Sequence, residues 1–127
     1  MDNIANSQSL LIGQKALDAL WLKQQVISDN ISNVDTPGYK CKSIEFEDLL
    51  SRAIKFSQGQ SLEERLSALK PKIIENNATA LKEDGNNVDI DGQNIELTKV
   101  QLQYQCLARV ITADLERLRL AINGGRS

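Results

Sequence analysis

Six consecutive residues, Asn87-Val88-Asp89-Ile90-Asp91-Gly92, set oxygen-bearing side chains at alternate positions ahead of a glycine, as the opening of an EF-hand loop does for calcium. The likeness fails where the metal would be held. The loop's first position is Asn87 in place of Asp, its twelfth is Thr98 in place of a bidentate Glu, and Gly85-Asn86-Asn87 forms a turn where an entering helix should be. Capping of a following helix by Asp89 or Asp91 is the competing use of these carboxylates. Glu45/Glu47 and Glu63/Glu64 are the carboxylate pairs that could trade protons, but on short amphipathic helices such pairs ordinarily form a solvated face.

Histidine is absent, which removes the commonest general base, the commonest metal ligand and every Ser/His or Cys/His nucleophile at once. Cys41 and Cys106 have no second cysteine nearby, so they read as reduced or buried thiols rather than as a zinc site or a disulfide framework. No glycine-rich phosphate loop or nucleophile elbow occurs. The sequence therefore predicts no enzyme, no cofactor and no metal. With 15 basic against 17 acidic residues in a chain of 127, there is no positive field to draw nucleic acid. No apolar run is long enough to span a membrane, and residues Met1 to Ser9 lack the basic and apolar regions of a secretory signal, so any export is expected to proceed without a cleaved signal.

What remains is packing. Aromatics make up only 4% of the chain, which leaves Leu, Ile, Val and Ala to build any core and favours helix-on-helix seams. From about Gln8 to Asn33, Leu10, Leu17, Leu20, Ile27, Ile31 and Val34 recur on three- and four-residue steps, the pattern of one long amphipathic helix. Gly13 costs about 1 kcal/mol inside such a helix, so it marks either a close backbone approach or early fraying. Trp21, beside Leu20 and Leu22, reads as a packing anchor between helices or between subunits. Asp35-Thr36-Pro37-Gly38 should end the helix, with Pro37-Gly38 in the centre of a type II turn.

Ile44 to Phe56 is expected to form a short helix bearing Phe46, Leu49, Leu50, Ala53 and Ile54, stopped by Ser57-Gln58-Gly59. Ser61 and Glu64 fit a capping box for a second short helix with Leu62, Leu66 and Leu69, which Lys70-Pro71 ends. Lys72 to Glu83 should be irregular, and Asn77-Ala78-Thr79 is a glycosylation sequon of no consequence without a secretory signal. After the turn Asp84-Gly85-Asn86-Asn87, a final helix should run to about Ile122 and end at Asn123-Gly124-Gly125, with Arg117 and Arg119 near its end. Its stripe of Leu97, Val100, Tyr104, Leu107, Ile111, Leu118 and Ala121, widened by Leu102, Val110 and Leu115, exceeds what one partner helix covers.

The segment Ser28-Asp29-Asn30-Ile31-Ser32-Asn33-Val34-Asp35-Thr36-Pro37-Gly38-Tyr39-Lys40 resembles the N-terminal signature of the bacterial flagellar rod and hook family, with Ser32 in a position usually held by Ala. Phe46-Glu47-Asp48-Leu49-Leu50, Asp84 to Asp91 and Leu102-Gln103-Tyr104-Gln105 look like a proximal-rod member of that family in particular, while Gly92-Gln93 and Ser61 to Lys70 depart from it. The resemblance covers both terminal thirds. It implies a structural subunit of the flagellar basal-body rod, placed in the periplasm after export through the flagellar type III apparatus. Its partners would be other rod subunits, basal-body proteins at the membrane ring and export gate, and further copies of itself. The family-motif residues carried over are Asn30, Asn33, Thr36, Pro37, Gly38 and Tyr39.

The expected architecture is all-α: an elongated, coiled-coil-like hairpin with an N-terminal rod helix over 1–35, a turn and a partly irregular middle over 36–90, and a C-terminal rod helix over 91–127. Leu17, Leu20, Ile27 and Ile31 should face Leu97, Tyr104, Leu107 and Ile111, with the leftover stripe meeting neighbouring subunits. The alternatives are another rod-family subunit or a monomeric helical adaptor that binds a partner helix; concentration-dependent sedimentation separates the adaptor from both.

Overall fold

A computed structural model describes residues 2–55, 59–78 and 82–124, with side chains from residue 8 onward. Phe56, Ser57, Gln58, Thr79 and Gly125, which figure in the expected helix ends and the sequon, lie outside the described residues.

Two long helices form the frame. α1 spans Asp2–Ser32 and starts earlier than the apolar spacing indicated; α4 spans Ile90–Asn123. At 1.5 Å per residue they run to about 45 and about 50 Å. Gly13 lies against Ile111 and Asn30 against Gln93, so the pair is antiparallel and near full overlap. Gly13 is where the helices come closest: a Cβ there would stand 2.9 Å from the Ile111 Cδ1. Close approach, not fraying, accounts for that glycine. Ala19, Val26, Ile27 and Val100 are buried along α1 and α4, and Leu97, Tyr104, Leu107, Ile111 and Leu118 are half-buried.

α4 begins where the carboxylates of the calcium-like loop suggested, with Asp89 as N-cap: its Oδ1 accepts from the Gly92 amide at 3.3 Å. Asp91 adds negative charge to the first turn, as the helix dipole favours. Because the helix continues to Asn123, Arg117 and Arg119 fall short of its last turn.

The expectation of an all-α chain is corrected by a two-stranded antiparallel sheet, β1 (Lys42–Glu45) with β2 (Lys72–Glu75). Lys-Ser-Ile-Glu faces Lys-Ile-Ile-Glu in a register that sets Lys42 opposite Glu75 and Glu45 opposite Lys72, with Ile44 opposite Ile73 between them. Opposite charges across both ends and the β-branched Ile44–Ile73 pair between them favour that register over a slip. Lys72 to Glu83 is thus not irregular throughout, since its first four residues are paired. Ile44 and Glu45 belong to β1, so the short helix α2 covers only Glu47–Lys55, and Glu45/Glu47 do not share a helix.

Phe46, at the junction of β1 and α2, is buried, and its carbonyl accepts the Leu50 amide at 2.8 Å. α3 (Leu62–Ala68) has the expected capping box, with Ser61 Oγ accepting from the Glu64 amide and the Glu64 carboxylate accepting from the Ser61 amide. It packs Leu66, fully buried, against α1 and α2.

Candidate functional site

At the end of α1 the chain has to reverse into β1 while its backbone polar groups leave helical partners behind. Ser32 closes the helix, and Thr36-Pro37-Gly38-Tyr39 makes the turn: Gly38 takes φ 74° and the Tyr39 amide donates to the Thr36 carbonyl at 3.2 Å. That is the type II geometry, in which the third residue needs a positive φ and glycine supplies it without a Cβ clash. A second turn, closed by the Gly85 amide on the Lys82 carbonyl with Gly85 at φ 86°, lies directly against the first. The Gly38 amide donates to the Asp84 carbonyl at 2.9 Å, which ties the two turns together.

Three asparagines fill this corner. Asn30, fully buried on the last full turn of α1, makes four hydrogen bonds: its Nδ2 donates to the Lys42 carbonyl and to Gln93 Oε1, and its Oδ1 accepts from the Tyr39 hydroxyl and the Lys42 amide. One side chain thereby joins α1, the corner, β1 and the start of α4. Asn86, also fully buried, donates to the Asn33 and Thr36 carbonyls and accepts from the Val88 amide. Asn87 accepts from the Cys41 amide at 2.6 Å and donates to the Asn76 carbonyl. Lysines brace the two turns reciprocally: Lys40 Nζ donates to the Gly85 carbonyl, and Lys82 Nζ to the Val34 carbonyl. Among the described residues no buried side-chain nitrogen or oxygen lacks a partner, so the corner carries little desolvation penalty and holds one geometry.

This arrangement performs no bond chemistry; it sets an angle. The ligand-type residues of the calcium-like loop are engaged elsewhere, Asn87 with backbone groups and Asp89 with its helix. Among the described residues no cluster of three or more Cys, Asp or Glu is arranged to hold a metal ion. Burial pushes the Tyr39 hydroxyl above its ordinary pKa, with Asp29 adding to the effect, so it stays a hydrogen-bond donor to Asn30 across the physiological range. Burial likewise raises the Cys41 thiol, helped by Asp89, whereas Cys106 is exposed on α4. Iodoacetamide at pH 8 should therefore alkylate Cys106 at least several-fold faster than Cys41, because the thiolate is the nucleophile; peptide mass mapping over time would show equal rates if the corner opened freely.

Of the motif residues read from the sequence, Asn30 and Tyr39 meet in the network. Asn33 caps the Asp29 carbonyl at 2.8 Å and accepts from the Thr36 hydroxyl at 3.0 Å, and Pro37 is exposed. The hydrogen-bonding roles of Asn86, Asn87, Gln93, Lys40 and Lys82 were not foreseen: Asn87 was weighed only as a calcium-loop position and Gln93 only as a departure from the family pattern. The Asn-Asn pair after Asp84-Gly85 was legible only as a turn, since nothing in its spacing indicates a partner some fifty residues away, as in the Asn86 to Thr36 bond.

Apolar surface forms the second part of the site. Leu17, Leu20 and Ile31 are half-buried and Ile27 buried, all in the part of α1 that runs alongside α4. Trp21 is not enclosed between helices: it is 54% exposed, beside Gln24, Gln25 and Ser28. On the other side of the hairpin an open groove of about 440 Å³ runs between α1, the β1–α2 junction and α4, lined by Ala16, Leu20, Phe46, Leu50, Leu107 and Val110. Along α4, Ile95, Leu102, Val110, Leu115, Leu120 and Ile122 are half or more exposed. Ile95 and Leu102, two turns apart on one face of α4, border a single open patch with Thr98 and Lys99.

The sequence model of the family described as flagella basal body rod protein matches residues 10–40, the helix and corner just described. Over nearly its whole length the chain is similar to curated flagellar basal body rod proteins called FlgB. The protein of Bacillus subtilis (strain 168) is 31% identical, with 89% of this chain and 92% of that protein aligned. That of Borrelia hermsii is 32% identical over 90% of this chain and 95% of its own length. The Escherichia coli (strain K12) protein is 25% identical over 92% and 94%.

Proposed function

The chain belongs to the flagellar basal body rod protein family that includes FlgB and is a structural rod subunit, not an enzyme; we propose that it polymerises through its terminal helices, 1–35 and 91–127, at the proximal part of the rod. The observation that carries this reading is Trp21. A tryptophan half in water on a long helix, alongside aliphatic stripes that the hairpin itself does not cover, is surface awaiting a neighbour. The segment 36–90 then acts as the rigid corner that fixes how the two helices leave one another, so that both lie along a tube axis while the small sheet and short helices point outward. Hydrophobic seams decide whether subunits assemble, since burial contributes about 25 cal/mol per Å², and surface charges set their register.

The partners in this proposal are other rod subunits, basal-body proteins at the membrane ring and the export gate, and further copies of the chain, within a periplasmic rod reached through the flagellar type III apparatus. No helix among the described residues is long and apolar enough to cross a membrane. Trp21→Asp tests the reading in a strain that lacks its own copy of the gene. The variant should fold, with circular dichroism unchanged, yet lose swimming and leave no subunit in purified basal bodies. Normal swimming with Trp21→Asp would refute assembly through this face.

A further inference from the structure

Among the described residues β2 pairs with β1 on one side and with no strand on the other. Lys72 to Glu75 are exposed throughout, Ile73 by 51% and Ile74 by 38%, while α1 packs on β1, one strand further in. Which backbone groups face outward follows from the ladder. The Asn76 amide donates to the Cys41 carbonyl at 2.8 Å, and bonded and non-bonded pairs alternate along an antiparallel ladder. In the register that sets Lys42 opposite Glu75, Ser43/Ile74 and Glu45/Lys72 are therefore the other bonded pairs. The amides and carbonyls of Ile73 and Glu75 point away from β1, and among the described residues no hydrogen bond engages any of the four. An open row of that kind is a template for a further strand.

The residues of β2 favour a second β2 as that strand. An antiparallel partner must set outward-facing residues opposite one another, which leaves two copies of β2 three registers. Ile73 opposite Ile73 would bring Pro71, which has no N–H, against Glu75 and forfeit bonds there. Glu75 opposite Glu75 would set like charges face to face. Ile73 opposite Glu75 avoids both. It allows four N–H···O=C bonds, places Ile74 against Ile74 on a two-fold axis and sets Lys72 opposite Asn76, while each Glu75 keeps Lys42 of its own copy on its inner side.

We infer that β2 is the edge through which two copies of this chain pair, antiparallel and centred on Ile74, into a four-stranded sheet ordered β1-β2-β2-β1. The contact is isologous and closes at two copies. It does not repeat along a one-directional stack, so it is a state of the free chain, made by the middle segment without the terminal helices. Trp21→Asp should leave it intact. Four main-chain bonds and a small isoleucine contact put it in the weak class, half-formed at about 0.1–1 mM.

Cysteine cross-linking of the full chain reads the register directly, with Cys41→Ser and Cys106→Ser removing the native thiols. The two Ile74 Cα atoms, in a non-bonded pair, would stand about 4.5 Å apart, within the span of a disulfide. The two Ile73 and the two Glu75 are instead diagonal neighbours, about 7–8 Å apart. With oxidised glutathione and protein in the concentration range above, Ile74→Cys should form a disulfide-linked dimer at least about tenfold faster than Ile73→Cys or Glu75→Cys. Ile73→Pro removes an outward amide and spares the ladder to β1. Added to Ile74→Cys, it should lower the cross-linking rate to that of Ile73→Cys with circular dichroism unchanged. Equal rates for the three cysteine variants would overturn the pairing, and so would cross-linking of Ile74→Cys that Ile73→Pro does not slow. If Ile73→Pro unfolds the chain, the comparison of the three cysteine variants decides alone.

Discussion

Replacing Asn30 by leucine is expected to lower the free energy of unfolding by about 3 kcal/mol or more, because each buried polar group left without a partner costs about 1–3 kcal/mol. Leucine fills much the same volume but offers none of the four hydrogen bonds. The Lys42 amide and carbonyl lose their side-chain partner next to β1, while Gln93 and the Tyr39 hydroxyl are released toward solvent. For a chain whose total stability is about 5–15 kcal/mol, that is a large fraction. Tyr39→Phe removes only the hydroxyl, and the expected loss is about 1 kcal/mol. Urea titrations of the three proteins would rank them wild type, Tyr39→Phe, Asn30→Leu; a loss below about 1 kcal/mol for Asn30→Leu would mean that the network contributes little beyond what water replaces. Asn30→Asp is no rescue, since a carboxylate would place an acceptor against the Lys42 carbonyl and Gln93 Oε1 where the amide now donates.

Leu107→Asp or Ile31→Asp should abolish incorporation into the rod while leaving expression intact. Both side chains are half-buried, so each aspartate keeps some access to water in the isolated chain and the expected loss of stability is about 1–3 kcal/mol. In an assembled rod the same position would be dry on both sides, and a carboxylate there has neither water nor a cation to meet it. The effect on assembly is therefore far larger than the effect on folding. Immunoblots of purified basal bodies beside whole-cell lysates check this: full-length protein in the lysate and none in the basal body is the expected pattern, and wild-type amounts in both would contradict it.

The two predictions address different parts of the molecule, and the sequence was not equally informative about them. The apolar spacing of α1 and α4 is written in neighbours three and four residues apart, so their existence and their approximate ends follow from local periodicity. Caps and turns were equally local. Ser61 with Glu64, Asp89 before α4, and Pro37-Gly38 each satisfy groups within a few residues, and each forms as its spacing indicates. The sheet was not legible. Four residues are too few to show a strand period, and β1 finds its partner about thirty residues downstream, so Ile44-Glu45, its second half, passed for the start of a helix and Lys-Ile-Ile-Glu for irregular chain. Gly13 stood between two explanations until its neighbour across the seam, Ile111, was known.

Residue types and their spacing alone determined that this chain has no histidine-based chemistry, two long amphipathic helices and a proline-glycine corner between the first of them and the middle, because those features depend on side-chain identity and on contacts within a turn or two. Tertiary structure decided which of the asparagines are buried, that Asn86 and Asn87 reach back to the corner, and that Trp21 faces water. Those outcomes depend on which segments meet after the chain folds back on itself, and the free energy of such long-range contacts has no signature in the order of neighbouring residues.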